Sequence, residues 1–139
     1  MKQIYTHVLT LLAVGLALQA LPGNGAFAAP FNFNVVSGKW ARTDGTYTLV
    51  VQNVTSDGAV DVEYLNPGKI NVSESRIDTH GGLVRLFVKL QDEGYPGCTY
   101  TLYYYAEKDA LVGFYYQAAV DQTYEVIFLR KEDKNSKSQ

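Results

Sequence analysis

The sequence predicts an all-β protein, an eight-stranded antiparallel up-and-down meander closed into a barrel. From Gly38 onward, short segments alternate apolar and polar residues with the period of two that is typical of half-buried strands. Turn signals such as Asn66-Pro67-Gly68 separate these segments, and none of the segments has helical periodicity. Closure is expected because an open sheet would leave two unpaired edges. A β-sandwich is the alternative, although it usually needs a longer crossover than this chain offers.

Residues 1–28 are expected to form a secretory signal peptide. Lys2 gives a positive start, Val8 to Leu18 is apolar, and Ala26-Phe27-Ala28 matches the small-x-small cleavage rule. As a helix, the apolar segment would rise only about 16 Å, which is too short to cross a bilayer core. An uncleaved anchor is the alternative. The sequence therefore predicts a periplasmic or secreted protein with no membrane span after signal removal.

The rest of the chain divides into a lead segment at 29–37, the barrel domain at 38–131 and a disordered polar tail at 132–139. The formal net charge is −2, and the sequence has no basic patch. Nucleic acid is therefore not expected as a partner.

The first three strands are expected at Lys39 to Thr43, Thr46 to Gln52 and Ala59 to Leu65. The third alternates most clearly, with Val60, Val62 and Tyr64 on one face and acidic residues on the other. Asp44-Gly45 and Ser56-Asp57-Gly58 supply the turns between them.

The fourth and fifth strands are expected at Lys69 to Asp78 and at Leu83 to Leu90. The fourth changes phase, because Ile70 and Ile77 fall on opposite faces of a regular strand. A bulge near Ser73–Ser75 would restore the apolar phase. The fifth alternates without a break.

The last three strands lie between Tyr95 and Arg130, a stretch that holds eight of the eleven tyrosines. Both phases of these strands are apolar or aromatic. In a barrel, one phase faces the interior and the other faces outward. The tyrosines therefore divide into an inner and an outer set.

Two features at the ends of the barrel domain resemble the calycin superfamily, which includes lipocalins and avidins. They are Gly38-Lys39-Trp40 at the first strand and Arg130 at the end of the last. The resemblance implies that Trp40 plugs one end of the barrel and that Arg130 packs across its indole, a favourable cation–π contact. It covers Gly38 to Arg130 and implies a fold rather than a ligand. The several tryptophans of an avidin-type biotin site and the outer helix of lipocalins have no counterpart in this chain.

The inner set predicts a lumen that binds a small apolar or aromatic ligand. Its members are Tyr47, Tyr64, Tyr100, Tyr104, Tyr115, Gln117 and Tyr124. Glu74 and Arg76 share one strand face and would join this set as a polar pair if the face is internal; after a bulge, both would face solvent. A core filled by the tyrosine rings is the alternative to a cavity.

The outer set predicts an apolar surface. Its members are Tyr103, Tyr105, Phe114 and Tyr116, together with Ile127 and Leu129. Large apolar patches on a soluble domain usually mark an interface, so a homo-oligomer or an exported protein partner is expected there. The alternative is that Pro30–Val36 covers the patch.

No metal site, cofactor or catalytic group is predicted. His80 lies in a His-Gly-Gly turn, and Cys98 is the only Cys, so no metal-ligand spacing can be assembled. Cys98 itself can be a small buried residue, an intermolecular bridge or a reactive thiol. The expected function is a non-catalytic, exported barrel that holds a small ligand in its lumen, and the alternative is a protein-binding module.

Overall fold

A computed structural model describes residues 30–132 as an antiparallel barrel that is nearly closed. The predicted signal peptide and all but the first residue of the predicted polar tail lie outside the described residues. The nine strands are β1 (Gly38–Arg42), β2 (Thr48–Gln52), β3 (Asp61–Asn66), β4 (Gly68–Ile70), β5 (Val72–His80), β6 (Leu83–Leu90), β7 (Thr99–Tyr105), β8 (Ala110–Gln117) and β9 (Gln122–Arg130). In the described part of the chain, three short 3-10 helices span Phe33–Val36, Ala106–Lys108 and Ala118–Val120. Residues 30–132 contain no helix long and apolar enough to cross a membrane.

The strand order confirms the predicted up-and-down meander. The sheet runs β4-β3-β2-β1-β9-β8-β7-β6-β5, and every pair is antiparallel. The first and last strands of the domain lie side by side, with Trp40 opposite Arg130. This pairing brings together the two residues on which the calycin resemblance depends.

The ninth strand arises because the predicted fourth strand is split at Asn71. Its first part, β4, pairs with β3, and its second part, β5, pairs with β6. Asn71 leaves the ladder: its backbone N–H and its side-chain amide both donate to Asp92, over 2.9 Å each. The predicted bulge is confirmed, since the β5–β6 register shifts between Val72 and Glu74.

The gap between β3 and β5, which we call the seam, is bridged by hydrogen bonds from β5 to the residues that precede β3. The Ile77 N–H donates to the Gly58 carbonyl over 2.8 Å, and the Ser75 hydroxyl donates to the Val60 carbonyl over 2.8 Å. Gly58 has φ +91, and a Cβ there would lie 2.0 Å from the Ile77 oxygen. Only glycine therefore fits at this seam.

Alternating side chains from all nine strands except β4 fill one continuous core. The predicted inner phase of β6 is confirmed, since Val84, Leu86, Val88 and Leu90 are all buried. The lead segment closes one end of this core through Val36, which is fully buried. We call this end, which also holds Trp40, the closed end, and the opposite end the open end.

Candidate functional site

Arg130 and Trp40 form a compact cluster at the closed end. The guanidinium carbon of Arg130 lies 4.1 Å from the centre of the Trp40 ring, and the indole N–H donates to the Val36 carbonyl over 2.9 Å. Arg130 donates to both carboxylate oxygens of Asp109, over 2.6 Å and 2.9 Å. It also donates to the carbonyls of Val35 and Ser37. These contacts tie the lead segment to the last strand.

The cluster requires a glycine at position 38, two residues before Trp40. Gly38 has φ +125, and a Cβ there would lie 2.8 Å from a guanidinium nitrogen of Arg130. A side chain at this position would be strained and would displace the guanidinium. The four hydrogen bonds described for Arg130 all go to acceptor atoms of the chain itself.

The inner tyrosines pack against one another. Tyr64 and Tyr100 are fully buried, and their hydroxyl oxygens are 2.9 Å apart. The Tyr100 ring centre lies 5.5 Å from that of Tyr64 and 4.8 Å from that of Tyr115. Burial raises the pKa of all three hydroxyls, so they remain protonated donors near neutral pH. These three rings therefore occupy part of the interior in which a ligand was expected.

Arg42 lies among these tyrosines at the open end, a placement that we did not predict. Its guanidinium carbon is 4.5 Å from the Tyr47 ring centre and 5.6 Å from that of Tyr115, and it donates to the Tyr100 hydroxyl over 3.1 Å. Asp44 accepts two further bonds from it, over 2.6 Å and 2.9 Å. Burial disfavours the charge, but these partners hold the pKa of Arg42 above its usual value. The signal was its phase: residue 42 shares a strand face with Trp40.

The other residues predicted for the lumen are divided between the two ends. Tyr104 is at the closed end, with its ring edge-on to Trp40 and its hydroxyl donating to Asp109 over 3.1 Å. Tyr47 is half-buried and stacks on Tyr64. Tyr124 is 41% exposed at the rim of the open end, near the half-buried Gln117.

Glu74 and Arg76 do not face the lumen. Their side chains are 49% and 48% exposed, and they form an ion pair on the outer surface. Arg76 also lies over the Phe87 ring, 4.3 Å from its centre. The bulge at Val72/Glu74 turns both outward and restores Ile77 to the core, so the lumen placement was wrong and the solvent-facing alternative is correct.

The outer side of β7–β9 is an apolar surface that residues 30–132 leave exposed, and we call it the outer face. Tyr105 and Phe114 are each 46% exposed, Ile127 is 44% exposed and Leu129 is 48% exposed. Register places Tyr103, Val112 and Ile127 in one row across the three strands. The alternative that Pro30–Val36 covers this surface is wrong, because that segment packs at the closed end instead.

A groove of about 540 Å³ crosses the outer face, and we call it the β8 groove. Val112 and the backbone of Gly113 lie at its centre, in the middle strand. Its lining consists of Thr43, Asp44, Tyr103, Tyr105, Val112, Gly113, Phe114, Glu125, Val126 and Ile127. The predicted outer residue Tyr116 is not part of this lining; it is half-buried near the open end and donates to Asp121 over 2.9 Å.

The remaining reactive side chains have ordinary surroundings. Cys98 is 1% exposed, which matches the buried alternative among the three considered for it. His80 lies beside the Tyr103 ring, with 6.1 Å between ring centres. Within residues 30–132, no group of three or more His, Cys, Asp or Glu is arranged to hold a metal ion.

Comparison with known proteins gives no relative: no protein-family description, no curated protein and no solved structure matches this chain.

Proposed function

We propose that this protein is an exported, non-catalytic binding module that recognises another protein through the outer face of β7–β9. The observation that supports the proposal most is the exposure of four large apolar side chains on one side of three adjacent strands. Scattered apolar residues are normal on a protein surface, but a contiguous patch with a groove usually marks an interface. Tyrosine suits such a surface because it is broad and apolar with a polar tip.

Small-ligand binding inside the barrel is the second candidate, and the Arg42 cluster at the open end favours it. A guanidinium among tyrosine rings could orient an anionic aromatic ligand. Such a ligand would have to displace Asp44 from Arg42 and separate the Tyr64 and Tyr100 rings, which already contact each other. The outer face needs no such rearrangement, so we place it first.

The barrel is also proposed to be of the calycin type. The support is the contact between Trp40 and Arg130, together with the pairing of the first strand with the last. This proposal concerns the architecture only. It carries no ligand from that superfamily to this chain.

Site-specific photo-crosslinking in the host tests the proposed function. A benzophenone amino acid replaces Phe114 in one strain and Val120 in the other. Val120 is the matched control, since it is 52% exposed but lies outside the β8 groove. We expect an adduct with one defined partner from position 114 and none from position 120. Equal adducts from both positions, or none from either, would contradict the proposal.

A further inference from the structure

We infer that the β8 groove binds a segment of an exported partner protein in which an apolar side chain lies next to a Lys or Arg. This inference rests on the proposed function, because it specifies the chemistry of the partner at the same surface.

The floor and walls of the groove indicate that the partner inserts an apolar side chain. Val112 and Gly113 form the floor in the middle strand, where the missing side chain of Gly113 lets β7 approach β8 closely. Tyr103 rises on the β7 side and Ile127 on the β9 side, in the same register row. The depression therefore suits one apolar or aromatic side chain inserted between the two outer strands.

The charges on the rim of the groove indicate that the partner also carries a Lys or Arg. Glu125 and Asp44 are the only charged residues that line the groove within the described part of the chain, and both are acidic. Both lie on the β9–β1 side, so the negative charge is concentrated at one edge. Arg42 engages Asp44 with two hydrogen bonds, whereas Glu125 has no ion pair within residues 30–132. A partner that covers Glu125 must supply a cation, since burying a lone carboxylate is costly.

Arg85 and Arg76, on the β5–β6 side of the outer face, are paired with acidic residues of β5. Arg85 donates to both carboxylate oxygens of Asp78, over 2.7 Å and 2.5 Å, and Arg76 pairs with Glu74. Neither belongs to the groove lining. Within residues 30–132, the groove lining therefore offers no cation to Glu125, and the proposed partner provides one.

Two other occupants fit less well. Residues 133–139 of the chain contain two lysines but no apolar side chain, so they offer nothing for the floor of the groove. A second copy placed groove against groove would supply no cation for Glu125, because the groove lining contains two carboxylates and no Lys or Arg. A foreign partner with a basic and apolar segment matches both halves of the groove.

Selection from a random peptide library displayed on phage tests the inference. The exported chain is immobilised through its carboxyl terminus, and three variants serve as counter-targets. Ile127→Gln removes an apolar wall without changing charge, Glu125→Gln removes the rim charge, and Val120→Gln is the matched surface control. We expect enriched peptides to carry an aromatic or aliphatic residue within about two positions of a Lys or Arg. Their affinity should fall about three- to tenfold on Glu125→Gln, fall further on Ile127→Gln, and stay unchanged on Val120→Gln.

The outcomes separate the inference from the function on which it rests. Peptides that need Ile127 but lack a basic residue, or that bind Glu125→Gln as well as wild type, would overturn the inferred chemistry and leave the surface function standing. Failure to enrich any peptide on wild type over Ile127→Gln would overturn both. A concentration-dependent dimer in sedimentation that Ile127→Gln abolishes would show that the occupant is a second copy, which also overturns the inference.

Discussion

Arg130 illustrates how much one side chain organises at the closed end. Its planar guanidinium stacks on Trp40 while its N–H groups reach Asp109 and two backbone carbonyls of the lead segment. A lysine ammonium has no planar face and cannot bind a carboxylate through two parallel bonds. The identity of the residue, and not its charge alone, therefore determines whether this end closes.

Arg130→Lys tests this argument. It retains the charge but loses the stacking and most of the hydrogen bonds, so we expect the free energy of unfolding to fall by about 1.5–3 kcal/mol. Urea denaturation followed by Trp40 fluorescence measures it. Arg76→Lys is the matched control, because Arg76 is half exposed and its loss should cost less than about 0.5 kcal/mol. Equal effects of the two substitutions would contradict a special role for Arg130.

Trp40→Ala is expected to be the most damaging single change at this end. The ring is fully buried beneath Arg130, and removing it leaves a cavity in the core. Buried aromatic-to-alanine changes cost about 3–5 kcal/mol. Circular dichroism during urea unfolding gives the value, and a loss under about 1 kcal/mol would refute the closed-end role.

The ionisation of Asp109 determines how the contribution of this cluster to stability changes at low pH. Its hydrogen bonds from Arg130 hold the pKa of the carboxyl below its usual value in the folded protein. A depressed folded pKa contributes stability above the unfolded pKa of about 3.9, and that stability disappears as the pH falls through the folded pKa. We therefore expect wild type to exceed Asp109→Asn in unfolding free energy at pH 7 and the difference to shrink below about pH 4. A difference independent of pH would contradict the assignment.

At the scale of strands, the sequence predicts what local periodicity determines and misses what distant partners determine. The phase of β6 follows from alternation alone, and its inner residues are buried as expected. The split at Asn71 depends on Asp92, which is 21 residues away and reaches Asn71 only in the folded sheet. Counting segments therefore gives eight strands, although the bulge at Val72/Glu74 was foreseeable from the change of phase.

The seam between β3 and β5 provides a test at this scale. Gly58→Ala would force a Cβ against the Ile77 oxygen at a φ of +91, so the Ile77–Gly58 hydrogen bond should break. We expect a loss of more than about 2 kcal/mol and faster hydrogen exchange at the Ile77 amide. Gly68→Ala is the control, because a Cβ there meets nothing within 4 Å. Similar exchange in both variants would show that the seam does not depend on Gly58.

At the scale of the molecule, strand phase predicts the burial of some aromatic residues but not of Tyr124, which is 41% exposed, and it does not decide which set is functional. Tyr100 and Tyr115 are buried as their phase predicts, and Tyr105 and Phe114 are exposed as theirs predicts. Whether the inner rings enclose a cavity depends on how they pack in three dimensions, which alternation does not encode. The position of Arg42 among them likewise depends on the barrel bringing β1, β7, β8 and the residue before β2, Tyr47, together at the open end.

A substitution among the inner rings should therefore lower stability without affecting partner binding, and a substitution on the outer face should do the reverse. Tyr100→Phe removes the hydroxyl that contacts both Tyr64 and Arg42, so it should cost about 1–3 kcal/mol of unfolding free energy and leave partner binding intact. Ile127→Gln changes a side chain that is 44% exposed, so it should cost under about 1 kcal/mol and abolish partner crosslinking from position 114. Urea denaturation and the crosslinking yield, measured on the same two variants, check both halves. The opposite pattern, with binding lost in Tyr100→Phe and retained in Ile127→Gln, would move the functional site from the outer face to the tyrosine-lined open end.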